Sequence, residues 1–193
     1  SRRAEYRKLL EYYTEFVFER ARLEGVDLGP KAFLQDERDR ILEDIWTLIL
    51  SEIAQAEEHG PGYYLPIATE ISFEREFCDP ELGVGPLRIE GRIDRLDLAG
   101  DDGWRVVDYK TGAPVPQKEG FGGGSRLQLP LYLWGSEALP VLETELARRG
   151  AEFDLTRGEA VFLYLGSEAR VQFKGSTAAS RLPDLVRLVG LLT

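Results

Sequence analysis

Two segments that alternate in polarity, separated by five turn-forming residues, constrain this chain more than anything else in it. Leu87 to Leu98 (Leu-Arg-Ile-Glu-Gly-Arg-Ile-Asp-Arg-Leu-Asp-Leu) and Trp104 to Lys110 (Trp-Arg-Val-Val-Asp-Tyr-Lys) are joined by Ala99-Gly100-Asp101-Asp102-Gly103, a sequence suited to a hairpin. If Leu98 faces Trp104, then Leu96 faces Val106, Asp97 faces Arg105 and Asp94 faces Asp108. Apolar residues then meet apolar ones, and an acid meets a base. A slip of one residue would turn every one of these side chains to the other face of the sheet.

The same register brings two acids together. Directly opposed residues carry Cβ atoms about 4.5–5.5 Å apart, so Asp94 and Asp108 place like charges across the ladder, which destabilises it. Lys110 shares a face with Asp108, roughly 6.6 Å further along the strand. Val106 and Val107 are both apolar, so the strand is expected to be buried on both faces, and Asp108 is then no ordinary solvated acid. On spacing alone two readings stay open. One is a buried ion-pair network in which the lysine neutralises an acid. The other is a divalent-cation site, since Mg²⁺ takes one or two carboxylates together with water and phosphate oxygens. In the second, Lys110 helps place or deprotonate an attacking water and stabilises developing charge. Arg92 falls opposite Lys110, which requires either an outward turn of its side chain or a bulge.

Upstream, Leu9, Leu10, Tyr13, Phe16 and Val17 recur at three-to-four spacing and predict a helix from Tyr6 to Leu23, stopped by Gly25. A second helix is expected from about Lys31 to Glu58, with Ile41, Leu42, Ile45, Trp46, Ile49 and Ile53 on one stripe and His59-Gly60-Pro61-Gly62 ending it. A further strand is expected over Ala68 to Phe77, a long loop over Ala113 to Ser125, and helices over Leu127 to Glu137 and Pro140 to Arg149. Strands over Glu159 to Leu165 and Val171 to Lys174 and a helix over Leu182 to Leu192 close the chain. With no repeat and no linker, the reading is one α+β domain over residues 1–193, with a helical part at 1–60 and a core at 68–193. The opening Ser1-Arg2-Arg3-Ala4, without Met, reads as a start inside a longer protein. No apolar run nears the roughly 18 residues of a membrane span, and the first residues are too charged for a signal peptide. A lone cysteine, Cys78, excludes an internal disulfide, a four-cysteine zinc site and an iron–sulfur cluster, and fits a cytoplasmic setting.

Three motifs occur in order: Gly91-x-x-Asp94-Arg95-x-Asp97, then Asp108-Tyr109-Lys110-Thr111-Gly112, then Gln128-Leu129-Pro130-Leu131-Tyr132. The set resembles the RecB-like branch of the PD-(D/E)xK nuclease superfamily, and most of all the C-terminal nuclease domains of AddB-type subunits of bacterial helicase–nuclease complexes. The resemblance covers about Glu70 to Leu165. It implies a restriction-endonuclease-like core, a central mixed sheet whose metal-site hairpin is flanked by helices. It also implies a Mg²⁺-dependent (exo)deoxyribonuclease of DNA repair and recombination, in which Mn²⁺ substitutes for Mg²⁺. By the same resemblance Asp94, Asp108 and the backbone carbonyl of Tyr109 are metal ligands, and Lys110 is the catalytic lysine. Gln128 and Tyr132, at i and i+4 on one helix face, correspond to the element that borders the site and contacts DNA or supports the lysine.

Two departures accompany it. Members commonly carry a His or Glu on an early helix as a further ligand. The only histidine here, His59, stands at a helix end without that context, so the ligand is expected before Ser1 or in an acid such as Glu70 or Glu74. Relatives with an iron–sulfur cluster use four cysteines, which this chain lacks. The alternative is a catalytically inactive, nuclease-derived DNA-binding or scaffolding module. The partners implied are DNA, in particular single-stranded ends, and a helicase subunit or domain. With 34 acidic against 24 basic residues the net charge is −10, so a basic channel for DNA is expected from a larger partner.

Overall fold

The computed structural model describes residues 2–79, 84–113 and 127–179. Helix α1 spans Arg2–Leu23 and α2 spans Lys31–His59, followed by a 3₁₀ turn at Gly60–Gly62. Strands β1 (Leu65–Asp79), β2 (Val84–Leu98) and β3 (Trp104–Lys110) come next, then α3 (Gln128–Gly135), α4 (Pro140–Arg148), β4 (Gly158–Tyr164) and β5 (Arg170–Lys174). The five strands form one sheet in the order β1-β2-β3-β4-β5, with β3 and β4 parallel and every other pair antiparallel.

A parallel pair needs a crossover, and here α3 and α4 supply it. Their Leu129, Leu133, Leu142 and Leu146 pack with Leu139 against Ile93, Leu96, Leu98, Trp104 and Val106 in the main core. On the other face Leu48 of α2 closes over Val107, Val161 and Leu163. Strand β3 is therefore covered on both sides, as its paired valines predict. Pro130 falls in the first turn of α3, where the missing N–H breaks no helical bond. The expected Leu127–Glu137 helix is α-helical only to Gly135 and then tightens into a 3₁₀ turn over Ser136–Ala138, where Ser136 Oγ donates to the Leu133 carbonyl at 2.6 Å. The expected Leu182–Leu192 helix lies outside the described residues, as does the expected Ala113–Ser125 loop apart from Ala113.

Two expectations need correction. The ladder between β2 and β3 has the expected register from Leu98↔Trp104 through Leu96↔Val106, but it stops at Arg95↔Val107. Asp94 and Asp108 are not a ladder pair. Instead the Asp94 carboxylate takes a main-chain donor of β3, accepting from Tyr109 N at 2.8 Å. Across β2 on the other side, between the pairs Thr69↔Arg95 and Ile71↔Ile93, Glu70 sits at φ 55, a left-handed kink in β1 beside Asp94. Arg92 pairs with Ser72 of β1 and its guanidinium lies 2.5 Å from Glu70, so it is never opposite Lys110. The second correction is the buried face of α1. Leu9, Tyr13, Phe16 and Val17 are exposed, and the side turned inward carries Arg7, Leu10, Thr14, Phe18 and Ala21. Ion pairs tie α1 to α2, with Arg3 at 2.9 Å from Glu57, and Arg7 and Arg38 reaching Glu43 and Glu15.

Candidate active site

Asp108 and Lys110 stand on the same side of β3 at its C-terminal end, where α3 begins to cover the sheet. Asp108 is 5% exposed. Its Oδ1 accepts from Gln128 Nε2 at 2.6 Å, and its Oδ2 lies 2.5 Å from Lys110 Nζ. The Gln128 amide bridges the pair, because its Oε1 accepts from Lys110 Nζ at 3.0 Å while its Nε2 also donates to the Tyr132 hydroxyl at 2.8 Å. The lysine head group rests 4.7 Å from the centre of the Phe162 ring. Gln128 and Tyr132 can act together because one helical turn separates them, which puts both on the face of α3 turned toward β3.

Burial pushes the Asp108 carboxyl above its ordinary value. Lys110 pulls it down through a hydrogen bond and its charge, the Asp94 charge pushes it up, and burial prevails. Burial likewise raises the Tyr132 phenol. Asp108 Oδ2 has no neighbour within hydrogen-bond geometry, although Lys110 Nζ is in ion-pair range. A buried carboxylate oxygen that faces a charge but lacks a directed donor has coordination capacity left over. Two hard carboxylates and a main-chain carbonyl are the donor type suited to Mg²⁺ or Mn²⁺. Among the described residues no cluster of three or more His, Cys, Asp and Glu side chains gathers into a metal cage.

Tyr109 is divided between the two faces of the sheet. Its main-chain N–H reaches Asp94, while its side chain points toward α2, where the hydroxyl accepts from Arg95 Nη1 at 2.7 Å. Glu70 and Glu74, the acids expected as replacement ligands, are instead paired with Arg92 and Arg88 and are largely exposed. His59 lies at the opposite end of the sheet, its Nδ1 2.9 Å from the Gln55 carbonyl and its ring beside Tyr63. It lines an open cavity of about 410 Å³ together with Arg105, Glu159 and Arg170, far from Lys110 along the strands.

Behind the site lies an ionic network that sequence reasoning finds only in part. Asp97, fully buried, takes Arg105 through Nε and Nη2 at 2.9 and 2.7 Å, the pair expected from the register. Glu52 of α2 completes it by accepting from Arg95 at 2.8 Å, Arg105 at 3.2 Å and Arg170 at 2.9 Å. Burial alone would raise the Glu52 carboxyl, but the three guanidinium charges prevail and hold it below its ordinary value. Its signal in the sequence is a charge one turn after Leu48, on the buried side of α2. Arg95 links this network to Tyr109 and so to the strand that carries the acid and the lysine.

A five-stranded mixed sheet with covering helices, and an Asp-x-Lys strand whose acid, lysine and Gln…Tyr helix converge, defines a class of α+β fold with a charged site at a strand end. The chain belongs to the PD-(D/E)XK nuclease superfamily, whose profile matches residues 2–187. Curated relatives share a single name, that of the AddB-type subunit of an ATP-dependent helicase/deoxyribonuclease. The protein from Clostridium acetobutylicum is 36% identical over 86 residues, which are 40% of this chain and 8% of that protein. Those from Moorella thermoacetica and Symbiobacterium thermophilum are 40% identical over 95 residues and 42% over 82, covering 45% and 37% of this chain and 8% and 7% of theirs. The chain thus matches less than a tenth of the length of these relatives.

Proposed function

We propose that this chain is the nuclease domain of a DNA repair and recombination helicase–nuclease, hydrolysing phosphodiester bonds with the help of Mg²⁺, for which Mn²⁺ substitutes. The observation that carries the reading is Asp108, an acid kept in a buried position with one oxygen lacking a hydrogen bond and a lysine beside it. Asp94, Asp108 and the Tyr109 carbonyl would hold the ion, which when bound supplies a polarised water and neutralises phosphate charge. Asp94 does a second job, fixing the main chain at Tyr109. Lys110, oriented by Gln128, places the attacking water, takes its proton or offsets charge that develops on the phosphate oxygens. Gln128 and Tyr132 keep the lysine aimed and border the path of the DNA. Single-stranded ends released by the motor of a larger assembly are the proposed substrate, cut as an exonuclease cuts.

Calorimetric titration with Mn²⁺ and a cleavage assay on linear single-stranded DNA test this together. Asp94→Ala and Asp108→Ala should each lose Mn²⁺ binding, and a chelator should abolish cleavage in the active assembly. Retention of parental Mn²⁺ affinity in both variants would refute the metal site. A second reading, a module that binds or scaffolds without cutting, is favoured by one observation: only two carboxylates converge among the described residues. Metal binding without cleavage in the full-length protein would select it.

A further inference from the structure

The Gln128–Tyr132 element has to be held in place by something, since a two-turn helix does not orient its own side chains against a sheet. The contacts point to a side chain outside all three motifs. Phe73 of β1 is 5% exposed, and its ring is inserted between Gly91 of β2, its partner across the ladder, and Gly135 at the end of α3. A Cβ on either glycine would overlap the ring, so both positions are kept bare by the same side chain. The ring also meets Tyr132 edge-on, with centroids 6.1 Å apart and planes at 84°, the arrangement aromatic pairs prefer. Tyr132 and Gly135 are three apart on α3 and thus share a face, so Phe73 touches the helix at two points on the side where Gln128 also lies.

We propose that Phe73 is a positioning residue, acting through Tyr132 and Gln128 on Lys110; this rests on the nuclease reading above for its consequence in catalysis, though not for its geometry. The relay is continuous. Phe73 fixes the Tyr132 ring, the Tyr132 hydroxyl accepts from Gln128 Nε2, and Gln128 Oε1 accepts from Lys110 Nζ. Loss of the ring frees Tyr132 to tilt into the vacated space, and the amide that bridges acid and lysine loses its anchor. The glycine of the Gly91-x-x-Asp94 motif then has a physical reason: it makes room for the ring. Arg75, two residues on and on the same face of β1, provides the structural control. It holds the C-terminal end of α3, donating to the Trp134 carbonyl at 2.6 Å, stacking on the Trp134 ring at 4.2 Å and pairing with Glu137, all of them beyond Tyr132 in the chain.

The test compares the parent with Phe73→Leu, Phe73→Ala, Arg75→Met, Gln128→Ala and the Phe73→Leu/Gln128→Ala double variant. Leucine keeps apolar volume, so Phe73→Leu carries the test if alanine does not fold. The first readout is the rate at which acetyl N-hydroxysuccinimide modifies Lys110, followed by peptide mass spectrometry with Lys8 and Lys174 as internal references. Phe73→Leu should raise Lys110 labelling severalfold, Arg75→Met should leave it unchanged, and the double variant should match Gln128→Ala alone, as expected of residues in one chain of contacts. The second readout is Mg²⁺-dependent cleavage in the active assembly, where Phe73→Leu should lower kcat by about tenfold with KM within about twofold. Unchanged Lys110 labelling in a folded Phe73→Leu protein, or effects that simply add in the double variant, would overturn the proposal. A parent that never cleaves would defeat the nuclease reading instead, and the labelling comparison would still decide the role of Phe73.

Discussion

Asp108 and Lys110 are held by contacts that predict opposite responses to substitution. Because burial lifts the Asp108 carboxyl, its charged form weighs against the fold above the ordinary carboxylate range, and that penalty is relieved as pH falls. In metal-free buffer at neutral pH, Asp108→Asn should therefore melt no lower than the parent by scanning calorimetry, while in the proposed role it loses Mn²⁺ binding. Lys110→Ala leaves both carboxylates in place, so Mn²⁺ affinity should stay near the parental value while cleavage falls to background. A loss of stability with cleavage per folded molecule unchanged would return the lysine to a purely structural role. Asp108, Lys110, Gln128 and Tyr132 are legible in the sequence as a group because period-two and i,i+4 spacing are local rules. Asp94 is legible as a member but not in its pose, since its bond to Tyr109 N replaces the ladder pair that a regular hairpin would make. Phe73 is illegible: nothing local says that a strand phenylalanine will fill the space above two distant glycines, Gly91 on the next strand and Gly135 on a helix two elements further on.

Strands β2 and β3 are legible to within a few residues, because their alternation and the turn between them agree. Helix α1 is legible as a helix but not in its buried side, because it is apolar on more than one side and spacing alone does not say which stripe meets α2. The contact between α2 and the sheet depends on Glu52, and it makes a testable element. Because the folded Glu52 carboxyl is held low, its contribution to stability is present above the ordinary glutamate range and is lost as pH falls from that range through the lowered value. Glu52→Gln removes a partner from three arginines. It should cost about 2–3 kcal/mol near neutral pH, below the figure for a fully buried pair because part of the side chain meets water. Urea unfolding between pH 3 and pH 7 checks both signs: the parent should lose stability on acidification more steeply than the variant, and curves that stay parallel would contradict the assignment.

Charge governs the behaviour of the molecule as a whole. The net charge of −10 opposes a polyanion, and DNA affinity built on phosphate contacts requires clustered Lys and Arg. Near the site those residues are scarce or engaged: Arg92 is paired with Glu70, Arg95 with Glu52 and Asp97, and Lys110 with Asp108. The isolated chain should therefore bind single-stranded DNA weakly at physiological salt, and lowering the salt should recover little, since a shallow dependence on ionic strength reflects few phosphate contacts. The relatives extend far beyond the matched region, which is 7–8% of their length in the three proteins compared, leaving ample polypeptide to form a basic channel. Fluorescence-anisotropy titrations across a salt series, on this chain and on the longer protein that contains it, decide the point. The chain alone should give a slope near zero and the longer protein a steep one, together with cleavage of single-stranded ends. Tight binding and rapid cleavage by the isolated chain would show that its own few cations suffice.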